Sequence, residues 1–316
     1  MRAETFVSVL VNKGMIKLYA LKQDFPLMKK MKILSCGAGM QSTALALMSC
    51  ANKLIIEGKN ERFNFKYNNQ VPIYDAVLFC DLVLEPSWVY DQVKFIQAAC
   101  KWAGIPFYIL QSNLYKDYIN NFGKNRVTSI PFWTIDENGK KGKMMRNCTL
   151  DYKINLMQKF IRSELLGYRK GQHTKPEDLK AHEMHIGFSK EEERRCKENP
   201  HKMFVNKFPL VEMNLTRADN YAYIKDIWGL DTKASACCFC PFHTNYFFQH
   251  IKEHHPVEYE KTIMFDDMLE REQPNTKIRS KLFISKSRKR IRDLVPEECH
   301  DKECFLYKSE LVWNGF

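Results

Sequence analysis

The chain has 316 residues, of which 45% are hydrophobic, and this supports either one large α/β domain with additions or two domains. It contains no apolar run long enough to span a membrane, and its N-terminus lacks the layout of a signal peptide, so we expect a cytoplasmic protein. The formal net charge of +12 indicates a polyanionic partner, without identifying it.

Residues 1–30 precede the first well-patterned strand, and we predict them as an N-terminal extension to which no element is assigned. Residues 32–48 then predict a strand, a turn with two glycines and the start of a helix. This order places backbone N–H groups and a helix N-terminus at one point, which attracts phosphate. Ser42 and Thr43 add candidate hydroxyl donors. An ordinary turn between a strand and a helix has the same residue types, and the P-loop and dinucleotide patterns are absent.

Two further apolar runs, residues 74–80 and 106–110, are predicted as buried strands, with a helix between them that starts near Glu85. Strands that alternate with helices predict a doubly wound parallel sheet. Ligands of such sheets bind at the carboxyl ends of the strands, where Asp81 follows the second strand. Asp81 and Glu85 are therefore candidate ligands of Mg²⁺ or of a ribose hydroxyl, and helix capping is the competing interpretation.

The second half of the chain continues the alternation of helices and extended segments. We predict an α/β nucleotide-binding domain over residues 31–230 and a mostly helical, Cys-containing and basic region over residues 231–316. The elements predicted between these limits are a turn at 136–139, a helix at 149–166, a strand at 183–187, a charged helix start at 188–195, an extended segment at 207–211 and a helix at 216–228.

The strongest chemical signal among the 11 cysteines is the segment Cys-Cys-Phe-Cys-Pro-Phe-His, in which Cys237 and Cys240 have C-x-x-C spacing. This spacing lets two sulfur atoms meet one metal centre. Cys148 is the candidate third ligand, and Cys238 or His243 is the candidate fourth. Four interpretations stay open: an iron–sulfur cluster with one open iron, a closed Cys₃His zinc site, a redox dithiol, and buried thiols without a function.

Five segments occur in the order of one family's motifs. The first is the phosphate loop, similar to Ser-Gly-Gly-x-Asp-Ser, whose residues here include Ser35, Gly37, Gly39, Gln41, Ser42 and Thr43. The other four are Asp81 at the end of the second strand, the charged segment that begins at Gly187, the Phe-Pro-Leu stretch before Thr216, and the cysteines Cys148, Cys237 and Cys240. Over residues 31–282 the chain thus resembles the phosphoadenosine phosphosulfate (PAPS) reductase-like branch of the PP-loop ATP-pyrophosphatase (adenine nucleotide alpha hydrolase-like) superfamily.

The resemblance implies an adenine nucleotide, either ATP or PAPS/APS, with its pyrophosphate on the backbone N–H groups of residues 37–42. Members of the superfamily split ATP and activate an oxygen that a sulfur or nitrogen nucleophile replaces, whereas the reductase branch attacks a sulfonucleotide with a thiolate. Gln41 stands in place of the Asp that helps to hold Mg²⁺, so Asp81 or Glu85 would have to supply a metal ligand. The reductase nucleophile motif is present only as Glu-Cys-Phe-Leu-Tyr around Cys304.

Residues 277–292 carry eight Lys or Arg and no acid, which predicts a solvated basic face or a contact with a phosphate backbone. Our first hypothesis is an adenylating sulfur-transfer enzyme that acts on a nucleic acid, tRNA or DNA. In it, Cys148, Cys237 and Cys240 are catalytic groups and ligands of a [4Fe–4S] cluster. The second hypothesis is a PAPS or APS reductase, and the third is a nucleic-acid-binding module with a degenerate nucleotide fold and a structural zinc.

Overall fold

The computed structural model describes residues 30–60, 63, 70–122 and 129–295, together with the backbone of residues 7–11 and 14–18. Ten strands occur in this part of the chain: β1 Val7–Val11, β2 Gly14–Leu18, β3 Lys32–Cys36, β4 Ala76–Asp81, β5 Phe107–Gln111, β6 Trp133–Ile135, β7 Lys141–Lys143, β8 His182–Ile186, β9 Phe204–Lys207 and β10 Lys281–Phe283. Its α-helices are α1 Met40–Ile56, α2 Ser87–Ala103, α3 Leu114–Asn121, α4 Asn155–Phe160, α5 Pro209–Glu212, α6 Arg217–Trp228, α7 Asn245–His254 and α8 Pro256–Glu272.

The central sheet has the order β1-β2-β5-β4-β3-β8-β9, and β5, β4, β3, β8 and β9 are paired in parallel. The predicted parallel α/β sheet flanked by helices is therefore confirmed. The chain moves outward from β3 to β4 and β5, and then returns to β8 on the other side of β3. This reversal makes the carboxyl ends of β3 and β8 the topological switch point, where ligands of open α/β sheets bind.

Both faces of the sheet are covered by helices. Strand β3 shows this, because consecutive residues of a strand point to opposite sides of the sheet. On one face, Leu34 belongs to the main core with residues of α1, α2 and α6. On the other face, Ile33 packs in a second cluster with Met157 and Phe160 of α4. The main core also contains Phe265 of α8, so the region after residue 230 shares its hydrophobic core with the sheet.

The hairpin β1–β2 joins the edge of the sheet through the antiparallel pairing of Lys17 with Ile109 of β5. No element was predicted for this segment, because its apolar and basic residues have no clean period. A second, smaller sheet has the order β10-β6-β7 and contains the predicted turn at 136–139 between β6 and β7. None of the described helices combines the length and the apolar character that crossing a membrane requires.

Two local predictions can be compared directly with the structure. The helix after Thr216 begins with a capping box that Thr216 forms with Asp219, as predicted from the sequence. The extended segment predicted at 207–211 is wrong, because β9 ends at Lys207 and a helical turn starts at Pro209. Proline suits this first helical position, since its φ is already helical and its missing N–H would have had no helical acceptor.

Candidate functional site

The loop between β3 and α1 lies at the switch point of the sheet. The Ser42 hydroxyl bridges two residues of this loop. It accepts a hydrogen bond from the Gly37 N–H and donates one to the Gly39 carbonyl oxygen, both at 3.1 Å. Ala38 turns the chain with a φ of 53°, in the left-handed region. Gly39 is the N-cap residue of α1 and, having no side chain, makes no side-chain cap hydrogen bond. The backbone N–H groups at the start of α1 are therefore candidate donors for an anion.

Two residues of the predicted phosphate loop, Ser35 and Thr43, are buried or partly buried. Ser35 is a partly buried residue of β3 that pairs with Leu78 on one side and with Ile186 on the other. Thr43 is fully buried, and its hydroxyl has no hydrogen-bond partner among the described residues. Neither Thr43 nor the Ser42 hydroxyl therefore faces an open surface in this conformation.

Residues 233–235, which we call the strap, lie across the loop. The Ser235 hydroxyl donates a hydrogen bond to the carbonyl oxygen of Gly37, a residue 198 positions earlier in the chain. A Cβ added at Gly39 would lie 3.4 Å from the Cβ of Ser235, so the small residue keeps the two segments close. Because Cys237 follows the strap by two residues, this contact carries the cysteine segment to the predicted phosphate loop.

A buried glutamine of α2 joins the strap to the loop. Gln92 is 2% exposed, and its side-chain nitrogen donates to the carbonyl oxygens of Ala38 and Lys233. Its side-chain oxygen accepts from the Lys233 N–H. These hydrogen bonds of the buried amide fix the backbone of the loop relative to the backbone of the strap. Gln92 was not predicted as a site residue, because a single polar residue within a helix does not show in the sequence what it contacts.

Gly187 follows β8, and its backbone lies against the start of α1. A Cβ added here would lie 2.6 Å from the backbone nitrogen of Ser42 and 2.8 Å from the carbonyl carbon of Gln41. Side chains do not approach backbone atoms this closely. Glycine is therefore required at this position for the end of β8 to meet the loop at the switch point.

Asp81 stabilises a turn at the end of β4. Its Oδ1 accepts a hydrogen bond from the Val83 N–H at 2.7 Å and another from the Tyr90 hydroxyl at 3.1 Å. Val83 has a φ of 75°, a left-handed conformation that the carboxylate helps to hold. These contacts favour the structural interpretation of Asp81 over that of a metal or ribose ligand.

Gln41 contacts an acid that the sequence analysis did not single out. Its side-chain nitrogen donates to Glu192 Oε2 at 2.9 Å, and Glu192 also forms an ion pair with Arg195. An aspartate at position 41 would place a second carboxylate against Glu192. At this position the chain differs from Ser-Gly-Gly-x-Asp-Ser, and the acid beside Gln41 belongs to the 3₁₀ helix Lys190–Arg195. Three consecutive glutamates lie there, and no sequence period shows which of them faces the loop.

Glu85 is enclosed beside the cysteines. Its Oε1 lies 3.8 Å from the Lys153 ammonium nitrogen and 3.8 Å from Cys237 Sγ, and its Oε2 has no hydrogen-bond partner among the described residues. Burial raises the pKa of Glu85, and the charge of Lys153 opposes this shift. Burial acts to lower the pKa of Lys153, but Glu85 and the nearby thiols outweigh it and raise the pKa. Lys153, which the sequence analysis missed, is the cation of this cluster.

Cys148, Cys237 and Cys240 lie within electrostatic reach of one another. Cys148 begins the helical segment that leads to α4, whereas Cys237 and Cys240 lie on one turn, closed by a 2.9 Å hydrogen bond from the Cys240 N–H to the Cys237 carbonyl oxygen. Burial raises the pKa of Cys237 well above its usual value, and Glu85, Cys240 and Cys148 contribute. Burial also raises the pKa of Cys240 to about 11. Burial therefore favours the protonated form of both thiols.

The two candidate fourth ligands, Cys238 and His243, have other contacts. His243 Nε2 lies 2.8 Å from the Cys237 carbonyl oxygen, its ring stacks on Phe247, and Cys238 is fully buried in the main core. Within the described ranges, no three His, Cys, Asp or Glu side chains are arranged around one metal ion. Neither a closed Cys₃His zinc site nor a three-thiol cluster site is therefore preformed among the described residues. Three thiols from two segments remain a donor set of the type that holds the larger iron–sulfur clusters.

The basic segment 277–292 is partly used inside the protein. The Arg288 guanidinium donates to the carbonyl oxygens of Thr134 and Gly142, and Arg290 pairs with Asp266 at 3.0 Å. Other cations of the segment, Lys277, Arg279 and Lys281, are exposed. The predicted solvated face is therefore limited to part of the segment. The predicted nucleophile Cys304 lies outside the described residues.

The site therefore combines four features at one end of the sheet. They are a helix N-terminus, a strap that crosses it, an enclosed Glu85–Lys153 pair and three neighbouring thiols. In comparisons with known proteins, no protein-family model and no curated protein matches the chain.

Proposed function

We propose that the chain is an enzyme of the PP-loop type that uses an adenine nucleotide to activate a nucleic acid, tRNA or DNA, for sulfur transfer. The observation that carries this proposal is the contact between Ser235 and Gly37. It brings the cysteine segment beside the loop that would hold the nucleotide phosphates. A candidate phosphate loop with sulfur atoms on the segment next to it would suit a reaction in which sulfur replaces an adenylated oxygen and AMP leaves.

The loop supports nucleotide binding in two ways. The N–H groups at the start of α1 and the position at the switch point are the arrangement in which α/β proteins bind phosphate. No described atom lies within 4 Å of a Cβ added at Gly37, so there is open space on that side of the loop. Glu192, held by Gln41, is an acid from which a Mg²⁺ ion accompanying the nucleotide would gain a ligand.

The thiols support an iron–sulfur cluster more than a redox dithiol. Protonated thiols are poor nucleophiles, and the pKa values of Cys237 and Cys240 are raised by burial. Metal binding removes those protons, and the Lys153 ammonium would offset part of the resulting negative charge. Cys148, Cys237 and Cys240 would hold a [4Fe–4S] cluster, and its open iron would supply the site for sulfide.

Anaerobic purification of the full chain tests the cluster. We expect about four iron and four acid-labile sulfide atoms per chain. Replacing Cys148, Cys237 or Cys240 by serine should remove most of both, because each change deletes one of three ligands. Cys196→Ser is the matched control and should keep them, since this partly buried cysteine lies at the end of the 3₁₀ helix Lys190–Arg195. Protein without iron, or full iron content in the three variants, would refute the cluster.

A nucleotide assay separates the proposed reaction from the reductase alternative. We expect the anaerobic protein to bind ATP with Mg²⁺ in calorimetry and to release pyrophosphate when the acceptor nucleic acid is present. Sulfite release from PAPS or APS with a thiol donor would assign the reductase reaction instead. Binding of neither nucleotide would reject both enzymes.

A further inference from the structure

A basic cleft of about 1180 Å³ opens between the end of α8, β10 and residues 288–293. Among its described lining residues, the acids are Glu270 and Asp293, and six cations outnumber them. These cations are Lys277, Arg279, Lys281, Arg288, Lys289 and Arg290. An excess of positive charge in a concave surface concentrates a polyanion there, because the walls focus the field.

Cations and aromatic rings alternate from this cleft towards the cysteines. The Arg288 guanidinium carbon lies 5.4 Å from the ring centroid of Trp133, and the Lys143 ammonium nitrogen lies 5.3 Å from the same centroid. Lys143 is also 4.9 Å from the ring centroid of Phe242, and the guanidinium carbon of Arg146 is 5.2 Å from it. We call these five residues the cation–aromatic track.

The track ends at the thiols. Phe242 is 41% exposed and follows Cys240 by two residues, on the same turn. Arg146 lies close enough to Cys240 to interact with it electrostatically. The Trp133 indole N–H donates a 2.7 Å hydrogen bond to the Pro241 carbonyl oxygen, which ties the small sheet to that turn. A ligand that lies along the track therefore reaches the cysteine site at a defined place.

We propose that the basic cleft and the cation–aromatic track bind an unpaired, single-stranded stretch of nucleic acid, with phosphates on the cations and a base stacked on Phe242. Aromatic rings in a positively charged groove are the pattern by which proteins hold single strands, and Phe242 is the exposed ring of this track. Lys143 and Arg146 are exposed, so their side chains can move to phosphates when a base takes the ring. A duplex fits this pattern less well, because its bases are already stacked on each other.

This inference deepens the proposed function by naming the form of the acceptor. It rests on that function for the reaction that follows binding. Strand binding itself requires neither the nucleotide nor the cluster. The two proposals can therefore fail separately: iron-free protein that still binds single strands would refute only the cluster. Protein that contains iron and binds ATP, but does not prefer single strands, would refute only the track.

Fluorescence anisotropy with the full chain tests the track, with a labelled 20-nucleotide single strand, as DNA and as RNA, and a duplex of the same sequence as probes. We expect tighter binding of the single strand than of the duplex. Phe242→Ala should weaken single-strand binding about tenfold, the value of one base–aromatic contact, whereas Phe242→Trp should retain it. The control Trp102→Ala removes an exposed ring elsewhere, 46% exposed, and should have no effect.

A charge series tests the cleft. Replacing the three exposed cations Lys277, Arg279 and Lys281 by alanine should weaken single-strand binding by at least about tenfold and lower the salt slope by about two units. The control has the same loss of charge on exposed residues outside the cleft, with alanine at Lys94, Arg169 and Lys170. Equal weakening by both triples, equal affinity for duplex and single strand, or no effect of Phe242→Ala would each overturn the proposal. Equally tight binding of polyglutamate would also overturn it, because the cleft would then select charge alone.

Discussion

Gly187→Ala is expected to destabilise the protein by about 2–3 kcal/mol and to abolish measurable ATP binding. The added Cβ would lie 2.6 Å from the nitrogen and 2.9 Å from the Cα of Ser42, both backbone atoms at the start of α1. The helix cannot yield at this point as a flexible side chain would, so α1 or the end of β8 has to shift. Urea unfolding measures the loss of stability, and calorimetry measures ATP binding.

Gly37→Ala is the matched variant on the same loop. No described atom lies within 4 Å of its added Cβ, so we expect the stability of the wild type. If nucleotide phosphates occupy the open side of the loop, the methyl group will obstruct them, and ATP affinity should fall about tenfold. Unchanged affinity in Gly37→Ala would contradict the placement of phosphate at this loop. Wild-type stability of Gly187→Ala would contradict the close approach of β8 and α1.

Lys153→Met is expected to lower the free energy of unfolding by about 3 kcal/mol at pH 8, because it leaves Glu85 buried without its cation. The effect should be smaller at pH 5. Glu85 has a folded-state pKa above its ordinary value of 4.5, so its ionisation removes stability as the pH rises from there through the folded-state pKa. Removing Lys153 raises the folded-state pKa of Glu85 further, so stability is lost over a wider range of pH. Urea unfolding at both pH values measures the difference.

Two further variants keep this prediction falsifiable. Combining Lys153→Met with Glu85→Gln removes both charges and should recover most of the lost stability. Lys159→Met changes an exposed lysine on the same helical segment, and should change stability by less than about 0.5 kcal/mol. If the double variant were as unstable as Lys153→Met alone, or if the loss were equal at pH 5 and pH 8, the Glu85–Lys153 pair would not be the cause.

Features that depend on residues close together in the chain were predicted from the amino-acid sequence. Continuous apolar runs predicted β3, β4 and β5, and their alternation with helices predicted the parallel sheet, because a strand buried on both faces needs such a run. The capping box of Thr216 was also predicted, since its two partners are three residues apart. The C-x-x-C spacing identified Cys237 and Cys240 as a candidate ligand pair, and the structure has both on one turn.

Contacts between residues that are far apart in the chain became known only from the folded structure. It placed Ser235 on the loop at Gly37, Glu192 against Gln41, and Lys153 beside Glu85. It also showed that Asp81, a candidate ligand because it follows a strand, accepts a hydrogen bond within a local turn. Hydrophobic periodicity shows which face of an element is buried, but it does not show which partner covers that face. The acids, cations and thiols of a site assembled from separate segments are therefore identified only when the packing of those segments is known.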